Sequence, residues 1–267
     1  MNNNSTAPKL TVKNIAKRFG SFTALHDVDA IIFPERITAF VGPNGAGKTT
    51  LFHIITGNLK PDSGQILLNG KEITGMQPWK IARQGIGKLF QDVRVFGNLT
   101  ALENICVALL EPYEQTLFSI LHFSKKQMPV KKYKEEAMHW LDFVGLADLA
   151  NQHGSELSFG QQKLLSIARL IAHKSTCLLL DEPTAALSPV MIRKMIELIQ
   201  KIVSEQKLSI ALIEHNMMVV KELAFYTYFM HEGTVFCHGT QSCVLENPEV
   251  RELYMGLSGT ADVEEVK

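Results

Sequence analysis

The sequence has no stretch of 18 uninterrupted apolar residues, so no segment is expected to span a bilayer. Cysteines are few. Cys106, Cys177, Cys237 and Cys243 form no C-x-x-C pair, which argues against a zinc site or a disulfide frame and fits reduced cytosolic thiols. Net charge is also lacking: 27 Lys plus Arg stand against 27 Asp plus Glu. A general nucleic-acid binder would be basic, so no nucleic-acid partner is expected, although a local basic patch is still allowed. The opening MNNNSTAP has no charged segment followed by an apolar one. No secretion signal is therefore expected, and residues 1–8 read as a frayed start. Any membrane role would fall to a partner chain. What is present is a chain of 267 residues, 46% hydrophobic, enough for one large domain or two small ones.

The chain is organised around residues 42–50, GPNGAGKTT. Gly42, Gly47, Lys48 and Thr49 occupy the fixed places of G-x-x-x-x-G-K-[ST]. Residues 37–41 before it read as a buried strand, and 50–56 after it as a helix with Gly57 as its stop. Strand, glycine loop and helix together form a cradle for a phosphate chain. The backbone of Gly42, Pro43, Asn44, Gly45, Ala46, Gly47 and Thr50 lies along it, every residue but Pro43 offering an N–H, at the positive end of a helix dipole. Lys48 would reach the β- and γ-phosphates, and the Thr49 hydroxyl would bind Mg²⁺.

Short strands flank this loop in sequence. Leu10 and Val12 alternate with polar residues, and 22–33 and 65–68 read as further strands. Asn69-Gly70 is a hairpin signal, and 61–64 is another turn. From about Trp79 to Ala150 helical patterns dominate, at 102–110, 117–123 and 131–144, and 92 to about 154–160 reads as a helical insertion. Lys125, Lys126, Lys131, Lys132 and Lys134 cluster there, as a solvated helix face or a face toward anionic lipid or an acidic partner. The α/β pattern then resumes, with strands at 177–180 and 208–213, helices at 191–206 and 219–224, and a hairpin over 226–237. Ser188 and Pro189 mark a helix start, and the acidic tail from Ser258 reads as disordered.

Three further stretches carry chemistry. Leu178 to Glu182 reads LLLDE, two carboxylates at the end of an apolar strand, where parallel sheets bind ligands. Asp181 would hold Mg²⁺, and Glu182 would accept a proton from an attacking water. Alone the pair reads equally as a turn into Pro183; beside a phosphate loop it is far more specific. Gln91 sits where core meets insertion and is placed to touch both metal and water. His215 follows the strand 208–213 and joins the set on the strength of the other motifs. Last, Ser158, Gly160 and Gln161 open a helix whose apolar face holds Leu164, Ile167, Ala168 and Ile171. Ser158 with Gln161 is a plain capping box, and local sequence does not raise it above that.

Together these residues resemble the ATP-binding subunits of ABC transporters, over residues 10–257. GPNGAGKT is similar to the Walker A loop, Gln91 to the Q-loop glutamine, LSFGQ to the signature, LLLDE to Walker B, His215 to the switch histidine, and Phe19 to the aromatic that stacks on adenine. The resemblance implies an α/β fold: a P-loop NTPase (RecA-like) core with an antiparallel β subdomain and an inserted α-helical subdomain. It implies ATP and Mg²⁺ as cofactors, and a second ABC ATPase subunit packed head to tail. The Ser158–Gly160 helix start of one chain would then face nucleotide held by the other. Residues 81–104 and the stretch IEHNM further resemble the branched-chain amino acid subfamily, whose partners are a shorter ATPase, integral-membrane permeases and a solute-binding protein, so the second ATPase subunit is either an identical chain or a related one. That implies a cytoplasmic chain, peripheral on the inner face of the membrane. Lipopolysaccharide-export ATPases, soluble ABC ATPases and a non-hydrolysing regulator remain alternatives. Two residues depart from the family pattern: Phe159 replaces the first signature glycine, and Ser188 replaces the D-loop aspartate.

Overall fold

The computed structural model describes residues 7–89, 95–110 and 130–258. Three apolar runs become adjacent parallel strands: β3 (Ile37–Val41), β7 (Cys177–Asp181) and β8 (Ser209–Ile213). Every residue in them is buried, as a strand covered on both faces requires. They belong to a six-stranded sheet that also holds β6 (Ile86–Leu89), β9 (Tyr226–His231) and β10 (Thr234–Gly239), in the order β10-β9-β3-β8-β7-β6. Only the β9–β10 pair is antiparallel. Its turn, within the hairpin expected over 226–237, is Glu232-Gly233, both at positive φ (47° and 77°), the twist a two-residue hairpin needs.

A second, antiparallel sheet is built from β1 (Leu10–Phe19), β2 (Phe22–Ile32), β4 (Ser63–Leu68) and β5 (Lys71–Glu72), in the order β2-β1-β4-β5. Its alternation is the half-buried kind: Leu10, Val12 and Ile15 face the core with Val28, Ala30 and Ile32 of β2. The helix α1 (Lys48–Ile55) lies in the same core through Leu51, Phe52, Ile54 and Ile55. Gly57 ends it as expected, at φ +72° with its N–H on Ile54 O.

The inserted helices are α3 (Ala101–Leu109) and α4 (Val130–Phe143), and they pack on α5 (Phe159–Ala172). On α4 the residues at helical spacing, Tyr133, Ala137 and Leu141, are buried, while Lys131, Lys132 and Lys134 are exposed. That exposure fits a solvated face and a partner-facing one equally; Lys125, Lys126 and the helix expected at 117–123 lie outside the described residues. Asn104, fully buried on α3, ties down the loop before it by accepting from Phe96 N and donating to the carbonyls of Phe96, Leu99 and Thr100.

Several elements differ from the sequence expectation. The region from Trp79 is not helical throughout, since α2 (Pro78–Arg83) is followed at once by β6. Four residues with a glycine and a lysine, IGKL, give too little apolar signal for a strand; pairing with β7 supplies what propensity lacks. Ser63 and Gly64, expected in a turn, already lie in β4. The helices α6 (Pro189–Gln206) and α7 (Met217–Leu223) fall within two residues of expectation at each end, whereas α8 (Gln241–Leu245) and α9 (Pro248–Ser258), after β10, were not anticipated. The residues expected to be disordered, 1–8 and 258–267, fall largely outside the described residues. Among the described residues no helix is long and apolar enough to cross a membrane.

Candidate functional site

Register places three loops side by side. Ile213 is the Cα partner of both Phe40 and Asp181, so β3, β8 and β7 end at nearly the same level. The chain leaves them as residues 42–47, 182–188 and 214–216, at the carboxyl edge of the sheet. An open cleft of about 210 Å³ lies there. Asn44, Gly45, Ala46, Gly47, Lys48, Thr49 and Thr50 line one side, and Glu182 and His215 the other.

The glycine loop is shaped by close approach. A Cβ on Gly42 would sit 2.0 Å from the Met230 carbonyl oxygen of β9, so any side chain would push the loop off the sheet. Gly47 is the N-cap of α1, with φ +96° and no side-chain cap. The first-turn N–H groups therefore have no side-chain acceptor competing with a phosphate. Lys48 is 5% exposed and its Nζ donates to Gly42 O (2.7 Å) and Pro43 O (2.8 Å), folding back over its own loop. Burial lowers its pKa to about 8, opposed by the negative charges of Glu182 and then Asp181.

That value fixes the sign of a pH effect. A bound polyphosphate stabilises the ammonium and raises its pKa, so binding takes up protons where the free group is partly neutral. At pH 8 uptake should be about half a proton per ATP, it should fade below pH 7, and affinity should weaken as pH rises through 8. Titration calorimetry in buffers of different ionisation enthalpy measures this directly.

Asp181, 4% exposed, ends β7 with its Oδ2 3.6 Å from Lys88 Nζ on β6. Burial raises its pKa, and Lys88 works against that rise. The carboxylate of Asp181 and the hydroxyl of Thr49 make an all-oxygen donor pair, which suits a hard cation completed by phosphate oxygens and water. Among the described residues no group of three or more His, Cys, Asp or Glu could hold a metal ion.

Glu182 has φ +50°, in the left-handed region, held there by its N–H on Ile213 O (3.0 Å). Its Oε1 lies 3.2 Å from His215 Nε2. The strained backbone thus aims a carboxylate into the cleft, and the imidazole fixes its orientation. Behind them sits Glu214, 3% exposed. Its Oε1 accepts from Thr184 N (2.9 Å) and Thr184 Oγ1 (2.6 Å), and its Oε2 from His215 N (3.2 Å). One buried carboxylate therefore ties the Glu182 loop to the His215 loop. Glu214→Gln turns one acceptor oxygen into a donor facing a donor. It should cost about 1–3 kcal/mol in urea unfolding, with a fall in turnover.

The remaining expected residues are placed as follows. Ser158 caps α5 as predicted: its Oγ accepts from Gln161 N (3.4 Å), and Gln161 Oε1 accepts from Ser158 N (2.8 Å). Neither they nor Gly160 line the Lys48 cleft. A Cβ on Gly160 would meet Met191 Cγ at 2.8 Å, so this glycine also serves packing of α5 under α6. Ser188 caps α6 through Met191 N (3.4 Å). Phe19 does not line the cleft either; its register partner Phe22, across the β1–β2 turn, does. Gln91 lies outside the described residues. Sequence reasoning missed Lys88, Lys163 and Glu214. The available signal was a charge inside an apolar pattern: Lys88 in a parallel strand, and Lys163 on the buried face of α5.

Comparison with known proteins agrees with this geometry. Residues 25–185 match the family model described as ABC transporter. Over 250 residues the chain is 36% identical to the high-affinity branched-chain amino acid transport ATP-binding protein LivG of Escherichia coli (strain K12), covering 93% of this chain and 98% of that one. It is 36% identical over 253 residues to the corresponding protein BraF of Pseudomonas aeruginosa, with the same coverage. The crystal structure of the ADP conformation of an ATP-binding cassette of an ABC transporter superposes with TM-score 0.82 at 30% identity, over 94% of this chain and all of that one.

Proposed function

The chain belongs to the ABC transporter family, as an ATP-hydrolysing subunit, and from that premise we propose that its ATP cycle drives import of branched-chain amino acids or related small amides through separate permeases. The observation that carries the reading is the meeting of Lys48, Glu182 and His215 in one cleft, with Glu182 and His215 3.2 Å apart.

In this reading the loop 42–50 binds the phosphate chain and Lys48 swings from its two carbonyls to the β- and γ-phosphates. Glu182 takes a proton from the attacking water as its oxygen bonds to the γ-phosphorus and the bond to the β,γ-bridging oxygen breaks, releasing ADP and phosphate, and His215 keeps the carboxylate aimed. Mg²⁺, held by Thr49, Asp181 and Gln91, would neutralise charge on the phosphates. An aromatic at the β1–β2 turn gives adenine a face to stack on: Phe19 in the sequence reading, with its register partner Phe22 lining the cleft. The cleft is open on one side, and α5 with its Ser158 tip is not part of it. A second ATPase subunit therefore completes it, supplying the Ser158–Gly160 helix start in trans. Residues 9–257 act as one domain, with 92–160 as its helical subdomain, held at the inner membrane face by permeases. The named relatives favour import over lipopolysaccharide export.

The test is reconstitution with the co-purifying permeases and binding protein in vesicles. ATP-dependent uptake of labelled leucine, or of an amide such as urea, is expected. Brisk ATP hydrolysis with uptake of neither would overturn the substrate assignment.

A further inference from the structure

Lys163 lies on α5, one turn in from the Ser158 tip, and is 1% exposed. Its Nζ donates to three backbone carbonyls: Glu182 O (3.0 Å), Pro183 O (3.1 Å) and Ala185 O (2.8 Å). Those carbonyls belong to the loop that carries the catalytic carboxylate. The loop is strained at both ends, with Glu182 at φ +50° and Ala186 at φ +59°. Three carbonyls turned toward one ammonium explain how a backbone of that shape is held. Phe159, the departure from the family's glycine, lies with its ring centroid 5.0 Å from the same Nζ and covers it on the tip side.

We propose that Lys163 couples the two ATP sites of the working dimer. This rests on the reading above, in which Ser158 of one chain faces the nucleotide bound by the other. In that arrangement α5 reads one site while Glu182 of the same chain serves the other. Lys163 is the direct side-chain bridge between them. When phosphate seats the α5 tip, the ammonium carries the displacement to the carbonyls of 182, 183 and 185 and moves Glu182 in the opposite site. Glu214 grips the same loop from its far side, through Thr184, and passes the shift to His215. Lys163 is thus a positioning residue: it touches neither nucleotide nor water. Its charge is sustained despite burial, which lowers its pKa, by Glu214 and then Glu182 nearby.

The experiment measures ATP dependence of hydrolysis for the unmutated chain, Lys163→Gln and Lys163→Arg. The unmutated chain should show a Hill coefficient near 2, about the number of sites. Lys163→Gln should fall to about 1 and lose roughly tenfold in kcat, with the ATP concentration at half-maximal rate within about twofold of the original. Lys163→Arg keeps the charge and should keep most of the cooperativity. A residue that merely braces the fold would lower activity and leave the Hill coefficient alone. A Gln variant as cooperative as the unmutated chain overturns the role of Lys163. So does an active Arg variant with a Hill coefficient of 1, an arm that stands even where the Gln variant fails to fold. An unmutated chain that hydrolyses ATP without cooperativity overturns the two-site reading, and this proposal with it.

Discussion

Glu182→Gln should lower kcat by about 100- to 10,000-fold, the range for losing a general base, while ATP still binds. The substitution keeps shape and hydrogen bonding to His215 Nε2, 3.2 Å away, and removes only the ability to take a proton. Binding rests on the loop 42–50 and on Lys48, which it leaves intact. If ATP closes two chains and hydrolysis reopens them, the variant should collect as nucleotide-bound dimers on a sizing column. Turnover near the original rate would show that the proton goes elsewhere. Weak ATP binding would show that Glu182 shapes the site instead of acting in it.

Lys48→Ala should have an effect as large by a different route. The ammonium makes two hydrogen bonds to carbonyls in the free chain and exchanges them for phosphate oxygens. Charged hydrogen bonds of this kind contribute about 1.5–3 kcal/mol each, so losing two predicts an affinity loss of roughly 10²- to 10⁴-fold. Stability should change little, because burial already disfavours this charge, as its lowered pKa of about 8 records. Proton uptake on ATP addition at pH 8 should vanish in the same variant. Calorimetry reads affinity and proton uptake together, and an affinity within tenfold of the original would contradict the loop assignment.

The parts of the fold that could be read from sequence are those whose burial is written locally. β3, β7 and β8 are continuous apolar runs because both faces are covered, and the hairpins carry Asn69-Gly70 and Glu232-Gly233 at positive φ. β6 escaped because IGKL has little signal of its own and is fixed by pairing with β7. The cleft was legible for the same local reason: Lys48, Glu182 and His215 each follow a recognisable strand. Lys88, Lys163 and Glu214 were not, since each acts on a residue far away in sequence, 93, 19 to 22 and 30 positions in turn. Nothing short of the packed sheet brings them together. Phe22 shows the finer limit: sequence singles out Phe19, while the aromatic that lines the cleft is its register partner across the β1–β2 turn. The Ser158 tip is a satisfied capping box within one chain, and the further role proposed for it needs a second chain.

That role is tested most directly by mixing two dead variants, Lys48→Ala and Ser158→Arg. If each nucleotide lies between the loop of one chain and the helix tip of another, a mixed pair has one site carrying both lesions and one carrying none. Half of randomly formed pairs are mixed and each has one intact site, so ATP hydrolysis should rise clearly above the near-zero rate of either variant alone, to at most about a quarter of the unmutated rate, and to less than that where the empty site no longer drives its neighbour. A mixture as inactive as its components, with both variants folded and able to pair, would contradict a site shared between chains.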